Sequence, residues 1–466
     1  MKHRAKSRSQ SRKSRSRSTR CPRWRPGVAL RQANGLCIQQ LREALSIFLP
    51  QKGLALLTRD KRVRWVERML VIASILMVLV SASSAQDAFS WARQAVVGMY
   101  PSRRRPGKCM DGFFKQLGKR SAQLLPTVVN TLRLHAQALA GKDWRYRGWV
   151  VMAVDGTKIN CPRTQANEAE LGCAGREGSA PQVLLTAIQH LHTGLFWDWR
   201  RGGSKDSERG HLQQMLEALP SQTMLLADAG FVGYMLMKAL MAGGHDFVVR
   251  AGSNVKLIKD LGFAVREHDG IVYLWPQDKQ REHPPLVLRM VQFKDGRNHT
   301  ITLLTSVMDR NKLPDKHLLE LYRRRWSVEV SYRTLKQTMS HTKVHATTAA
   351  LAQVQVDWAV VGMGLLSLLM VSQSGYRDGA IAGSPAATLR VLRNAMREGH
   401  KRCRRGGLAK QVANAVKDTY ERKSAKTRRP WPRKTDTKPP GEPKMRMATN
   451  AQVKKTKKFI EKKDVA

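Results

Sequence analysis

Three carboxylates stand where a folded chain rarely leaves them unanswered. Asp155 closes an apolar run in "VVMAVDGT", and Asp228 closes another in "TMLLADAGF". Glu329 is the single acid of "LYRRRWSVEVSYRTLK", Leu321 to Lys336, which carries five basic residues. Acids at the ends of buried strands are costly unless something positive meets them. A divalent cation answers that cost: Mg²⁺ binds one or two carboxylates, waters and phosphate oxygens. Two such ions can activate a nucleophile and stabilise the leaving oxygen of an in-line phosphoryl transfer. Each acid also has a plainer reading. Glu329 can pair with Arg325 or Arg333 at helical spacing, Asp155 can make a turn, and Asp228 can cap a helix. The order strand–Asp, strand–Asp, helix–Glu favours the joint, metal-binding reading.

The helix that carries Glu329 has an unusual face. At 100° per residue, Tyr322, Arg325, Glu329 and Lys336 fall at about 0°, 300°, 340° and 320°, one stripe roughly 60° wide. Leu321, Val328 and Leu335 form an adjacent apolar stripe. A phenol, a guanidinium, a carboxylate and an ammonium thus project from one side. Arg offers a fork to a phosphate, Lys a point charge, and Tyr a hydroxyl or a stacking face.

These residues need elements to hold them. Residues 37–145 read as a helical unit, because "LCIQQLREALSIFL", "RVRWVERMLVIASILMVLV" and "SAQLLPTVVNTLRLHAQAL" repeat apolar residues at three and four spacing. After Trp144 the period shortens. "RGWVVMAVDGTKI", "QVLLTAIQHL", "GLFWDWRRG", "TMLLADAGF" and "DFVVRAG" read as strands, with helices at "SERGHLQQMLEALP" and "YMLMKALMAGG". The alternation predicts an α/β core over 146–249. The first strand is expected to stop at the Asp-Gly turn signal. Residues 250–308 are β-rich and antiparallel in expectation, and 309–400 return to helix. Trp275, in the β-rich stretch, reads as a buried sheet residue or as a stacking partner for a flipped base. Residues 1–36, an Arg/Ser repeat, and 401–466, rich in Lys, Arg and Pro, read as disordered basic tails, apart from a short helix near Leu408 to Tyr420.

Composition sets the partner. With 83 Lys and Arg against 35 Asp and Glu, the 466-residue chain carries +48. The two tails hold +12 and +16, which leaves +20 on the body. Such an excess needs a polyanion or a membrane surface, and nucleic acid is favoured because binding releases counterions. The apolar run 69–85 has a strongly hydrophobic core of only 12 residues, too short to span a bilayer, and reads as a buried helix. Six scattered Cys without a CxxC pair argue against a zinc ribbon and fit reduced thiols in a cytoplasm.

At these residues the sequence resembles the DDE transposases of the insertion sequence 4 family. The family signature around its last acid is Tyr, two residues, Arg, three residues, Glu, six residues, Lys, and Tyr322, Arg325, Glu329 and Lys336 fit it without a gap. "AVDGTKI" matches the first family motif, and "LLADAGFVGY" the second, with spacings of 73 and 101 residues between the acids. The resemblance implies a ribonuclease H-like core with a β-rich insertion before the last catalytic helix, preceded by a helical N-terminal domain that binds the terminal inverted repeats. It implies that Asp155, Asp228 and Glu329 hold two Mg²⁺ ions, with Mn²⁺ able to substitute, and that Tyr322, Arg325 and Lys336 grip DNA phosphates. The implied reaction is cleavage at the element ends, then strand transfer of the 3′-OH into double-stranded target DNA by a homodimer, in the cytoplasm and away from membranes. A related nuclease that cuts without joining, and a non-catalytic DNA-binding relative, are the alternatives.

Overall fold

The apolar period changes near Trp144, and the computed structural model changes from helices to strands at that point. It describes residues 35–50, 54, 63–80, 82, 84–101, 105–173, 178–264, 270–295, 298–377, 379–403, 406–418 and 441–464. The expected Arg/Ser tail therefore lies almost wholly outside the described residues. Four helices come first: α1 (Cys37–Ile47), α2 (Glu67–Leu79), α3 (Ala85–Met99) and α4 (Met110–Ala140). α3 was not anticipated as a separate element; Ser84 starts it by accepting from the Asp87 backbone N–H at 3.1 Å. α2 is the buried helix that the run at 69–85 implied, with Leu70, Val71, Ile75 and Leu76 fully enclosed.

The middle of the chain runs β1 (Val150–Asn160), α5 (Gln165–Leu171), β2 (Gln182–His190), β3 (Phe196–Gly202), α6 (Glu208–Gln213), β4 (Thr223–Ala227), α7 (Tyr234–Ala242) and β5 (Asp246–Ala251). Next come β6 (Lys256–Lys259), β7 (Ile271–Leu274), β8 (Leu286–Lys294) and β9 (Thr300–Thr305). Then α8 (Asp315–Arg324), α9 (Trp326–Arg333) and α10 (Ala349–Ser374) follow, with a small hairpin of β10 (Tyr376–Arg377) and β11 (Ala380–Ile381). The chain ends in α11 (Pro385–Arg397), α12 (Gly407–Asn414), β12 (Lys444–Met447) and α13 (Asn450–Asp464).

Ten strands make one sheet in the order β12-β6-β7-β8-β9-β5-β4-β1-β2-β3. β1, β2 and β3 are antiparallel neighbours, whereas β4 is parallel to β1 and β5 parallel to β4. The β-rich stretch joins this same sheet, because β9 pairs antiparallel with β5. The fold is thus mixed α/β with a large central sheet.

Alternation along β1 divides the core. Val151 and Ala153 face α1–α4 and α10, while Val150, Met152 and Val154 face α6 and α7. α10 ties the first side together. Its Trp358, fully enclosed, donates to Ser121 Oγ on α4 at 2.9 Å, and burying such a ring contributes about 2–3 kcal/mol. One residue earlier and facing β3, Asp357 accepts from Trp199 Nε1 at 2.9 Å and pairs with Arg201 at 3.1 Å. By length and composition α10 could cross a membrane, yet 89% of its most apolar window is buried within the fold.

Two expectations need correction. β1 does not stop at Asp155: residues Asp155–Asn160 continue the ladder against Ala187–Gln182 of β2, so the Asp-Gly pair lies within a strand. Strand pairing on one side outweighs the local turn preference. The stretch 401–466 is not wholly disordered. β12 adds to the sheet edge beside β6, with the Lys444 N–H donating to Val255 O at 2.8 Å, and Phe459 of α13 meets the edge of Trp275 at 6.3 Å. Backbone pairing at a free sheet edge needs no apolar run, so composition alone conceals it. Trp275 is buried, 2% exposed, but follows β7 rather than belonging to it, and its indole N–H donates to His283 O at 2.7 Å.

Candidate active site

β1 and β4 run side by side with Ala153 beside Leu226. Two residues further along each strand come Asp155 and Asp228. Neighbouring strands lie about 4.8 Å apart, and side chains alternate, so both acids fall on the face of Ala153 and Leu226. Asp228 keeps an extended backbone at the strand end and accepts from the Gly230 N–H at 2.9 Å, the turn-capping bond its sequence suggested. Asp155 accepts from the Gly156 N–H at 2.9 Å.

α9 lies over this face. Val328 and Leu335 are buried as the apolar stripe required, and Leu321 on α8 with them. Tyr332 fixes the register: its hydroxyl donates to Asp155 O at 2.8 Å and accepts from the Ala187 N–H at 3.1 Å, with its ring stacked on Phe196. Gln189 on β2 adds a second anchor by donating to Ser331 Oγ at 2.7 Å. Glu329 stands three residues before Tyr332, so it shares the face that meets Asp155.

The electrostatics follow from this proximity. The Asp155 carboxyl is pushed up to about 7, chiefly by burial and further by the charges of Asp228 and Glu329; its bond from Gly156 and the Arg325 guanidinium act the other way. Arg325 donates to Glu329 Oε1 at 2.7 Å, the helical ion pair of the plainer reading. Its other terminal nitrogen, Nη1, is buried without a hydrogen-bond partner among the described residues. The same guanidinium lies 5.8 Å over the Tyr322 ring. Burial raises the Tyr322 phenol, Arg325 and Arg250 oppose that shift, and Asp228 adds to it.

The single ideal helix of the sequence reading does not hold. α8 ends at Arg324, α9 begins at Trp326, and residues Thr334–Thr338 form a π-helical turn. A wider turn breaks the 100° period, so Lys336 is displaced from the stripe. Its ammonium is lowered by burial alone, with no influence from the three acids. Tyr322, Arg325, Glu329, Asp155 and Asp228 therefore gather, and Lys336 stands apart from them.

Two residues of the site were not foreseen. Arg250, on β5 in "DFVVRAG", acts on Tyr322, and its Nε is buried without a hydrogen-bond partner among the described residues. Glu208, the first residue of α6, packs on Gly156, and burial and Asp228 raise its carboxyl while Lys158 lowers it. The only advance signal for Glu208 was an acid at a helix start, a commonplace of helix dipoles.

Among the described residues no three His, Cys, Asp or Glu side chains are drawn into a closed metal cluster. Like charges repel, and Arg325 draws Glu329 to itself. The donor set nonetheless suits a hard divalent cation: carboxylate oxygens from Asp155 within β1 and from Asp228 just past the adjacent β4.

Residues 148–361 match the family described as the transposase DDE domain. The transposase InsG for insertion sequence element IS4 of Escherichia coli (strain K12) is 29% identical over 211 residues, 42% of this chain. The match spans about half the length of that relative, 46%. Both matches bear out the resemblance to DDE transposases of the insertion sequence 4 family. A piggyBac transposase synaptic complex with hairpin DNA is similar at a TM-score of 0.37 and 11% identity, covering 84% of this chain and 83% of that one. That likeness is too distant to support a statement about fold.

Proposed function

We propose that this chain, with its DDE domain, is an insertion-sequence transposase that cleaves DNA at the element ends and transfers the freed 3′-OH into target DNA. The observation that carries the reading is the placement of Asp155 within β1 and of Asp228 just past the end of the adjacent β4, with Asp228 and Glu329 both acting on the charge of Asp155. Asp155, Asp228 and Glu329 would hold Mg²⁺ or Mn²⁺, two ions in the full reading. The bound cations supply charge neutralisation, a more acidic water and stabilisation of the leaving oxygen.

The chain's own groups do the rest. Tyr332 pins the backbone of Asp155, so the first carboxylate stays at a fixed depth. Arg325 orients Glu329 with one nitrogen, and its enclosed, unpartnered Nη1 would meet a phosphate oxygen once bound DNA opens the side chains around it. Arg250 Nε offers a second donor and Tyr322 a hydroxyl between them. Two guanidiniums around a scissile phosphate offset the negative charge that the three acids would otherwise oppose. Lys336 is the outer phosphate contact in this scheme, since it stands apart from the acids.

In the wider scheme the sheet order β3-β2-β1-β4-β5 is the ribonuclease H-like core, residues 146–249, completed by 309–400. Residues 250–308 are its β-rich insertion. The helical residues 37–145 recognise the terminal inverted repeats, and a homodimer on paired ends does the chemistry at the nucleoid in the cytoplasm, without a membrane. The +20 of the body suits so large a phosphate contact.

Joining separates this reading from a nuclease. Full-length protein is mixed with a pre-cut, labelled element end, Mg²⁺ and a supercoiled plasmid. The expected product is the labelled end covalently joined to plasmid. Cleavage of an uncut end with no joined product from the pre-cut one would assign the chain to the cutting-only class. Shifted duplex with neither product would make it a non-catalytic binder.

A further inference from the structure

α13 carries a charge that the active site does not use. A capping box starts the helix: Thr449 Oγ1 accepts from the Gln452 N–H at 3.3 Å, and Gln452 Oε1 accepts from the Thr449 N–H at 3.0 Å. At 100° per residue, Val453, Thr456, Phe459 and Ile460 fall on one side. Lys454, Lys455, Lys457 and Lys458 cover the other, over about 160°. From Asn450 to Ile460 the sequence holds no acid.

The first side is already covered. Thr456 is 1% exposed, Phe459 lies against the edge of Trp275, and Val453 and Ile460 are partly buried. β12 fixes the approach. It pairs with β6 along its whole length, and the Ala448 N–H donates to Lys259 O at 2.9 Å, one residue before the cap. The helix therefore cannot roll to bury its lysines. All four are exposed, and none makes an ion pair among the described residues. Lys454 stands three residues before Lys457 and four before Lys458, and Lys455 three before Lys458, spacings at which like charges repel. An anion laid along this side relieves that repulsion.

The kind of anion follows from which side is free. A helix lying in a lipid surface sinks its apolar side into the headgroup layer, and the apolar side of α13 is held by the sheet. A row of ammonium groups with no apolar anchor among them suits the phosphates of a duplex, which such groups bind without reading sequence.

We infer that α13 is a further DNA-binding surface, a lysine face that β12 holds on the β-rich stretch and that grips a duplex backbone irrespective of sequence. This rests on the DNA-acting reading above. Six strands of the sheet separate β12 from β1, so these lysines stand outside the chemistry at Asp155.

Full-length protein is titrated onto a fluorescent duplex of random sequence without element ends, and binding is read by anisotropy across a salt series. Each lysine that meets a phosphate adds about 0.9 to the slope of log affinity against log salt. Lys454→Gln, Lys455→Gln, Lys457→Gln and Lys458→Gln together should flatten the slope by about 2–4 and weaken binding about 10-fold or more at about 0.1 M salt, with the thermal midpoint unchanged. The same four positions changed to Arg should bind as wild type. Phe459→Ala keeps every lysine but loosens the seat of the helix, and should flatten the slope part of the way. If the Gln variant keeps the wild-type slope, the lysines are a solvated face: the inference is overturned and the DNA-acting reading stands. A wild-type slope in Phe459→Ala would make the lysines a loose charge and overturn the docked surface. Sedimentation with phosphatidylserine vesicles that the Gln variant loses, with the duplex slope unmoved, would make α13 a membrane contact and overturn it as well. Wild type that binds no duplex would sink the inference together with the DNA-acting reading.

Discussion

Glu329→Ala is expected to lower the rate of element-end cleavage by about 10³-fold, on the scale of removing a principal electrostatic stabiliser from an active site. The structure sharpens what that result would mean. Glu329 already has a complete role as the helical partner of Arg325, at 2.7 Å. A carboxylate that served only that pair would be worth about 0.3–0.5 kcal/mol on an exposed helix, and its loss would leave cleavage almost intact. Glu329 instead acts on Asp155 as well, from the face that Tyr332 presses onto β1. Glu329→Gln is the companion variant, because its amide oxygen can still accept from Arg325. Loss of cleavage in both variants, with duplex binding retained, assigns the effect to the negative charge. Cleavage at the wild-type rate in Glu329→Ala would reduce Glu329 to a salt-bridge partner.

Asp155→Asn should do two opposite things: abolish cleavage to a similar degree and stabilise the protein at alkaline pH. The Asp155 carboxyl is raised to about 7 in the fold, first by burial and then by its acidic neighbours. A folded pKa above the unfolded one means that the native state holds the proton more tightly. The stabilising contribution is therefore fully present below the ordinary carboxylate range, near pH 4, and is lost as the pH climbs through about 7. At pH 8 the wild type carries a buried, crowded charge that the Asn variant lacks. Urea denaturation with a chelator present should find the variant more stable at pH 8 by on the order of 2–4 kcal/mol, with the gap closing by pH 4. The Asn side-chain oxygen can keep the bond from the Gly156 N–H, and its new amide donor lies near the acceptor carboxylates of Asp228 and Glu329. A variant less stable than wild type at pH 8 would show that Asp155 is not held in the crowded, raised state described here.

The elements beneath the three acids were legible in the sequence because apolar period and polar interruption are local signals. The stripe of Leu321, Val328 and Leu335 was legible for the same reason, and all three are buried. What failed depended on distant partners. β1 runs through its Asp-Gly pair because β2 pairs with it there, and nothing near residue 155 announces that strand. Lys336 left the stripe because a π-helical turn follows Arg333, and a fixed 100° step cannot register such a turn. Arg250 and Glu208 look ordinary in sequence, one in a strand and one at a helix start. Their meaning comes from β5 and α6 lying on either side of the strands that carry Asp155 and Asp228. β12 and α13 were hidden by composition, since an edge strand such as "KMRM" draws its order from the backbone of β6.

The central claim is that acids distant in the chain meet around a divalent cation. Fe²⁺ taken up in place of Mg²⁺, with ascorbate and peroxide, generates radicals that cut the nearby polypeptide. The account predicts cuts clustered near residues 155, 228 and 329, suppressed by excess Mg²⁺ and lost together in Asp155→Asn. Cuts at one of these positions alone, or a pattern indifferent to Mg²⁺ and to Asp155, would mean that the three carboxylates share no ion.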